Sequence, residues 1–218
     1  KLAEFIRNEV LPAEEAVASW QAHSETRWLP CPTIEALKQK AKTAGLWNLF
    51  LPDATHGAGL TNLEYAPLAE QMGRILWASE VFNCNAPDTG NMEVLAHFAS
   101  ESQKQQWLTP LLKGEIRSAF AMTEPDVGSS DASNIALRIE SDGRDYILNG
   151  RKWWITGAGD PRCKILIVMG VTNPDADKYA RHSMILVPME TAGVHIVKAL
   201  EAFGFDDAPS GHMEMEFK

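Results

Sequence analysis

The chain has 218 residues, a formal net charge of −9 and an apolar share of 45%, which is enough for one large or two modest domains with buried cores. The acidic balance argues against nucleic acid and anionic membranes as partners, because both are bound through basic patches that displace counterions. No apolar run of about 18 residues occurs, and the amino end lacks the basic, apolar, small-residue order of a secretory signal. The expectation is a cytosolic, mitochondrial-matrix or peroxisomal setting with no membrane insertion.

In chain order, Leu2, Phe5, Ile6, Val10, Val17 and Trp20 recur at near-helical spacing, and Pro12 is expected to kink or divide the run. A second helix is expected over 34–44, preceded by Pro32 and closed by Gly45. The strongly apolar stretch 46–51 reads as a connector plugged into the core. Thr61 with Glu64 makes a capping box for the next helix, which Gly73 can end. Further helices are expected over 76–82, 89–98 and 102–112. Residues 1–115 therefore read as an all-α domain.

After Gly114 the apolar period changes from about 3.6 to 2. The runs 118–122, 135–140, 146–156, 164–171, 183–189, 194–200 and 213–217 are short, β-rich and separated by Gly, Asp, Asn or Pro. Residues 116–218 read as an all-β domain, a compact barrel or sandwich. Within the third run, Asn149-Gly150 is a strong hairpin signal. Strand alternation puts Trp154 and Thr156 beyond it on one face.

Two stretches carry chemistry. Pro125 ends the strand after Met122 and pushes Glu124 into an extended conformation, opening a loop with Gly128, Ser129, Ser130 and Asp131. That loop offers a closely approachable backbone, two hydroxyls and a carboxylate, which suits the polar edge of a ligand. Trp154 and Thr156 offer an indole to stack on the apolar end of an isoalloxazine and a hydroxyl to bond its N5 edge. Each has a plainer reading: the tryptophans as cross-strand packing, and Thr123, Glu124 and Asp131 as turn formers or solvated residues. Cys31, Cys84 and Cys163 are odd in number and far apart, and the six His show no ligand spacing, so no metal site is expected. Gly57-Ala58-Gly59 and Gly157-Ala158-Gly159 complete no phosphate-binding fingerprint, which disfavours a Rossmann fold.

Phe-Ala-Met-Thr-Glu-Pro-Asp-Val-Gly-Ser-Ser-Asp over 120–131, Trp154-Ile155-Thr156 and Gln-Gln-Trp-Leu-Thr-Pro-Leu-Leu-Lys-Gly over 105–114 together resemble the acyl-CoA dehydrogenase family. The similarity runs over almost the whole chain. It implies an α+β multidomain fold, an all-α domain followed by a barrel-like β domain, and FAD as cofactor. On the matching positions it implies cofactor contacts from Phe120, Met122, Thr123, Gly128, Ser129, Trp154, Ile155 and Thr156. Ser129 or Ser130 would face the acyl thioester or its pantetheine; the family's usual Gly-Ser-Asp has one serine more here, which leaves open which. The implied reaction is α,β-dehydrogenation of acyl-CoA to trans-2-enoyl-CoA in fatty-acid β-oxidation. An electron-transferring flavoprotein would be the acceptor and a homodimer or homotetramer the assembly. No catalytic base is assigned, because the family takes its carboxylate from a helical domain expected beyond residue 218, so residues 1–218 alone are expected to be inactive. An acyl-CoA oxidase or flavin monooxygenase on the same fold, and a non-catalytic binding scaffold, remain as alternatives.

Overall fold

The helical run at the amino end passes Pro12 by changing its hydrogen bonding instead of breaking. In the computed structural model, which describes residues 1–218, an α-helical turn at Leu2–Phe5 widens to π geometry over Ile6–Val10, tightens to a 3-10 turn over Leu11–Ala13 and resumes as α-helix over Glu14–Ala22. Proline has no N–H to donate and its ring crowds the preceding turn, and local π and 3-10 adjustment absorbs both. A π segment also precedes Pro110, over Lys104–Leu108, and passes directly into α-helix over Thr109–Lys113 without a 3-10 turn.

These elements belong to the first of two compact units, Lys1–Ile116 and Arg117–Lys218. The expected capping box is formed: Thr61 Oγ1 accepts from the Glu64 amide, and the Glu64 carboxylate accepts from the Thr61 amide at 2.9 Å. The connector residues Leu46, Leu49, Phe50 and Leu51 are buried. The helix expected over 76–82 is shorter, Ala78–Val81, and Leu76 lies outside it, fully exposed. The last helix ends on Gly114 at φ 68°, where an added Cβ would meet Trp47 Cζ2 at 2.8 Å. Its orphan carbonyls are taken by side chains. Leu112 O accepts from Trp47 Nε1 at 2.8 Å and Asn48 Nδ2 at 2.9 Å, and Leu111 O from Asn83 Nδ2 at 3.0 Å. No helix is long and apolar enough to cross a membrane.

The second unit is a seven-stranded sheet: β1 Arg117–Ala121, β2 Arg138–Ser141, β3 Tyr146–Thr156, β4 Cys163–Val171, β5 His182–Pro188, β6 Val194–Ala199 and β7 His212–Phe217. The hydrogen-bonded order is β1-β4-β2-β3-β7-β6, with β5 pairing antiparallel to β4 off this path. β4 lies parallel to β1 and is buried on both faces, which explains why Ile165, Leu166, Ile167 and Val168 form a continuous apolar run and not an alternating one.

The Asn149-Gly150 signal does not mark a turn. Both residues lie inside β3, and the hairpin between β2 and β3 turns over Asp142–Asp145 instead. Asp142 Oδ1 accepts the amides of Arg144 at 2.8 Å and Asp145 at 2.7 Å, an Asx-type clamp, with Gly143 at φ 90°. Gly150 serves a different purpose. There β3 passes from its antiparallel partner β2 to its antiparallel partner β7, and Leu137 lies where a side chain would go, its Cβ 3.0 Å from the position of an added Cβ. One strand is thus shared by two leaves of the sheet.

Candidate functional site

All of the sequence-selected site residues lie in the second unit, at the end of β1, in the loop after it, and on the second half of β3. What joins these segments is a buried ion pair that the sequence reading did not single out. Lys152 is completely buried, and its three ammonium hydrogens go to Met122 O at 2.8 Å, Glu124 Oε1 at 2.8 Å and Met169 O at 2.7 Å. Burial pushes this ammonium below its usual range, and Glu124 opposes the shift. Glu124, read from the sequence as a turn former or a solvated residue, is buried. Its carboxylate also accepts the amides of Ala136 and Leu137, both at 2.8 Å. No local signal marked Lys152: strand alternation would put it on the face of Trp154 and Thr156, and only the irregularity between Lys152 and Ile155 turns it inward.

The loop is closed upon itself by Ser129. Its hydroxyl accepts the Glu124 amide at 2.9 Å and contacts Glu124 O and Val127 O at 3.3 Å, while Ser130 is exposed. Gly128 is also exposed, and an added Cβ there would find nothing closer than Asn134 Nδ2 at 3.9 Å, so its backbone is open to approach. Asp131 caps the short turn Ala132–Asn134. Hydrogen bonds from Ser133, then the Lys178 ammonium at 3.0 Å, hold its carboxyl down to about 2.

Phe120, Met122 and Thr123 are half-buried. Thr123 is stitched to β3 in both directions: its hydroxyl donates to Trp153 O, and its carbonyl accepts the Trp153 amide at 3.0 Å. The Met122 and Thr123 carbonyls therefore each have a protein partner, and their N–H groups are the donors this stretch would present to a ligand carbonyl.

Trp154 and Thr156 are brought together through His212, not through the alternation that selected them. Lys152 pairs with Met215 and Ile155 with Met213, so β3 carries one residue too many between them and bulges. Trp154 occupies the bulge with φ 55°, a left-handed conformation rare for a bulky residue. The bulge resets the phase: Lys152 and Ile155, three apart, both point into the core. Any part Ile155 plays at a surface is therefore confined to its backbone. The Trp154 indole is left 39% exposed and lies 6.0 Å, ring to ring, from His212. His212 Nδ1 is 2.8 Å from Thr156 Oγ1, and its Nε2 is 2.8 Å from Asp207 Oδ2. His212, one residue before the strand expected over 213–217, thus opens β7 and links the two selected side chains.

The end of β3 and start of β7 thus present a flat exposed indole, a half-buried hydroxyl and an imidazole, and the loop after β1 adds the exposed Gly128 and Ser130. A large hydrophobic ring held exposed on a strained backbone fits a flat heteroaromatic ligand, since strain of this kind persists where the surroundings over-determine it and clusters at ligand sites. The donor set fits FAD, with apolar stacking at one end of the ring system and hydrogen-bonding groups for its heteroatom edge.

Residues 1–115 match the family described as acyl-CoA dehydrogenase, N-terminal domain, and residues 119–217 the one described as acyl-CoA dehydrogenase, middle domain. Mouse acyl-CoA dehydrogenase family member 10 is 53% identical over 223 residues, covering 100% of this chain and 21% of the mouse protein. A Mycobacterium abscessus protein whose structure carries the acyl-CoA dehydrogenase name is 54% identical with a TM-score of 0.95, over 99% of this chain and 55% of that one. The Bacillus anthracis acyl-CoA dehydrogenase solved in complex with FAD is 26% identical with a TM-score of 0.70, over 100% of this chain and 34% of that one. The chain spans only part of the length of each.

Proposed function

Because the chain belongs to the acyl-CoA dehydrogenase family, we propose that the protein binds FAD against the Trp154–Thr156 face and dehydrogenates acyl-CoA thioesters at the α,β bond. The observation that carries this reading is the exposed Trp154 indole beside the Thr156 hydroxyl. Bound FAD would supply the acceptor for the electron pair that leaves the β-carbon.

The chain's own residues orient and exclude. Trp154 covers one end of the flat ring. Thr156 addresses its N5 edge, and the amides around Met122 and Thr123 address its pyrimidine edge, with Phe120, Gly128 and the Ile155 backbone completing the contact. Ser130 is the better placed of the two serines for the thioester or pantetheine, because the Ser129 oxygen is already engaged by its own loop. Removing the α-proton requires a base within reach of the substrate whose affinity for protons suits the task. Glu124 is spoken for by two amides and Lys152, and Asp131 is held near 2. Both are poorly suited, so the base is assigned outside these residues.

An electron-transferring flavoprotein as acceptor and a homodimeric or homotetrameric assembly are part of the same proposal. The test is the visible spectrum of the purified full-length protein, followed by titration with acyl-CoAs of increasing chain length. A flavin spectrum that bleaches with one of them is the expected result. A protein without flavin that cannot be reconstituted would leave only a binding scaffold. Rapid reoxidation by air after bleaching would identify an oxidase.

A further inference from the structure

While the His212 imidazole is neutral, Thr156 cannot turn its hydroxyl hydrogen freely, because the nitrogen it touches can then only accept. Asp207 presents a carboxylate, which only accepts, to His212 Nε2 at 2.8 Å. In a neutral imidazole one nitrogen carries hydrogen and the other is bare, so the partner of Nε2 decides the state of Nδ1. With the hydrogen on Nε2, Nδ1 is an acceptor, and the Thr156 hydroxyl 2.8 Å away must donate to it. The arrangement is well held. His212 pairs with Thr156 across β3 and β7, its carbonyl accepts the Leu200 amide at 2.8 Å, and the Gly211 amide returns to Asp207 O at 2.9 Å.

We propose that Asp207 and His212 act as positioning residues that point the Thr156 hydrogen away from the ligand face, so that Thr156 meets the ligand as a hydrogen-bond acceptor. This rests on the reading of that face as the flavin site. A flavin N5 is bare when the ring is oxidised and carries hydrogen when it is reduced. An oxygen limited to accepting favours the reduced ring, whereas a freely rotating hydroxyl could donate to the oxidised one. His212 and Asp207 therefore bias the redox equilibrium through Thr156 without touching the ring.

Asp207→Asn is the decisive variant. Asn tolerates the left-handed backbone at this position, φ 51°, as well as Asp does, and the side chain is exposed. Its amide can donate to Nε2 and so move the imidazole hydrogen to Nδ1, the wrong-tautomer effect known from catalytic triads. His212→Phe keeps an aromatic ring against Trp154 and removes both nitrogens. Two readouts are used on the full-length protein. The first is nitrogen NMR of labelled histidine without added flavin: His212 should carry its hydrogen on Nε2 with a bare, hydrogen-bonded Nδ1 that shifts in Thr156→Val. A hydrogen on Nδ1 would overturn the proposal whatever the ligand. The second is the flavin midpoint potential. Asp207→Asn and His212→Phe should each lower the reduced-to-oxidised ratio about tenfold, ~30 mV for a two-electron couple, and neither should do so in a Thr156→Val background. Equal shifts in both backgrounds, or none in either variant, would overturn it. If Thr156→Val by itself leaves the potential and the flavin occupancy unchanged, the placement of the flavin is at fault, and the tautomer result stands independently.

Discussion

Replacing Lys152 by Met tests whether the Lys152–Glu124 pair is what holds the loop after β1 in place. Met has nearly the length of the lysine stem, so the change removes three hydrogen bonds and a charge while leaving little cavity. Glu124 would then keep its two backbone donors, Ala136 and Leu137, but lose its counter-charge in a site from which water is excluded. Breaking a buried pair by removing one partner costs on the order of 3–5 kcal/mol. For a chain of this size each kcal/mol lowers the melting temperature by roughly 2–4 °C, so a drop of roughly 6–20 °C is expected. The double variant Lys152→Met/Glu124→Gln removes the stranded charge as well and should recover at least ~1 kcal/mol relative to the sum of the single changes. Urea denaturation gives the free energies. Hydrogen exchange at the Ala136 and Leu137 amides shows whether the loss is at the pair. A single variant within ~1 kcal/mol of wild type, or strictly additive costs, would mean that the pair is incidental to the loop.

Trp154→Ala should weaken flavin binding about 2- to 10-fold more than Trp153→Ala, in line with the ~0.5–1.5 kcal/mol of an aromatic stacking contact; equal flavin-to-protein absorbance ratios in the two variants would contradict the assigned face. Gly114→Ala should destabilise the helical unit by at least ~1–2 kcal/mol, the cost of a left-handed backbone, with the Trp47 collision added. Gly90→Ala, in a helix with nothing within 4 Å of the new Cβ, should instead stabilise it by ~1 kcal/mol, and thermal melts distinguish the two. Asp131, held at about 2 against an ordinary 3.8, contributes stability that is fully present above pH 3.8 and is lost as the pH falls through about 2. Carboxyl NMR should place its midpoint near 2, and Lys178→Ala should move it upward. A wild-type midpoint near 3.8 would remove the Ser133 and Lys178 contacts from the account.

What could be read from the sequence was what depends on neighbours along the chain. Thr61 and Glu64 are three residues apart, and the capping box they form needs nothing else. The apolar run of β4 records burial on both faces wherever its neighbours come from. The errors arose where two local signals competed or where a partner lay far along the chain. Asn149-Gly150 and Asp142-Gly143 both suit a turn, and the Asp142 side chain, by clamping two amides, determined which one formed. The Trp154 bulge depends on β7, some sixty residues later, so alternation alone could not place the indole. His212 and Lys152 carry no motif. Their roles exist only once β7 lies against β3 and Glu124 and the Met169 carbonyl of β4 converge on the Lys152 ammonium.

Five consecutive residues of β3 hold the Lys152 anchor, the strained Trp154 and the Thr156 hydroxyl, and this strand is the one both leaves of the sheet require. Ligand occupancy and the folding equilibrium of the β unit are therefore thermodynamically linked. A cofactor bound only by the folded form adds stability by mass action, about 2.7 kcal/mol at a hundredfold excess over its dissociation constant. The same linkage run in reverse makes cofactor scarcity a destabilising condition. If flavin binds as proposed, the strain at Trp154 would then lack the offset of a bound ring, and the supply of flavin would help set how much of this protein survives proteolysis.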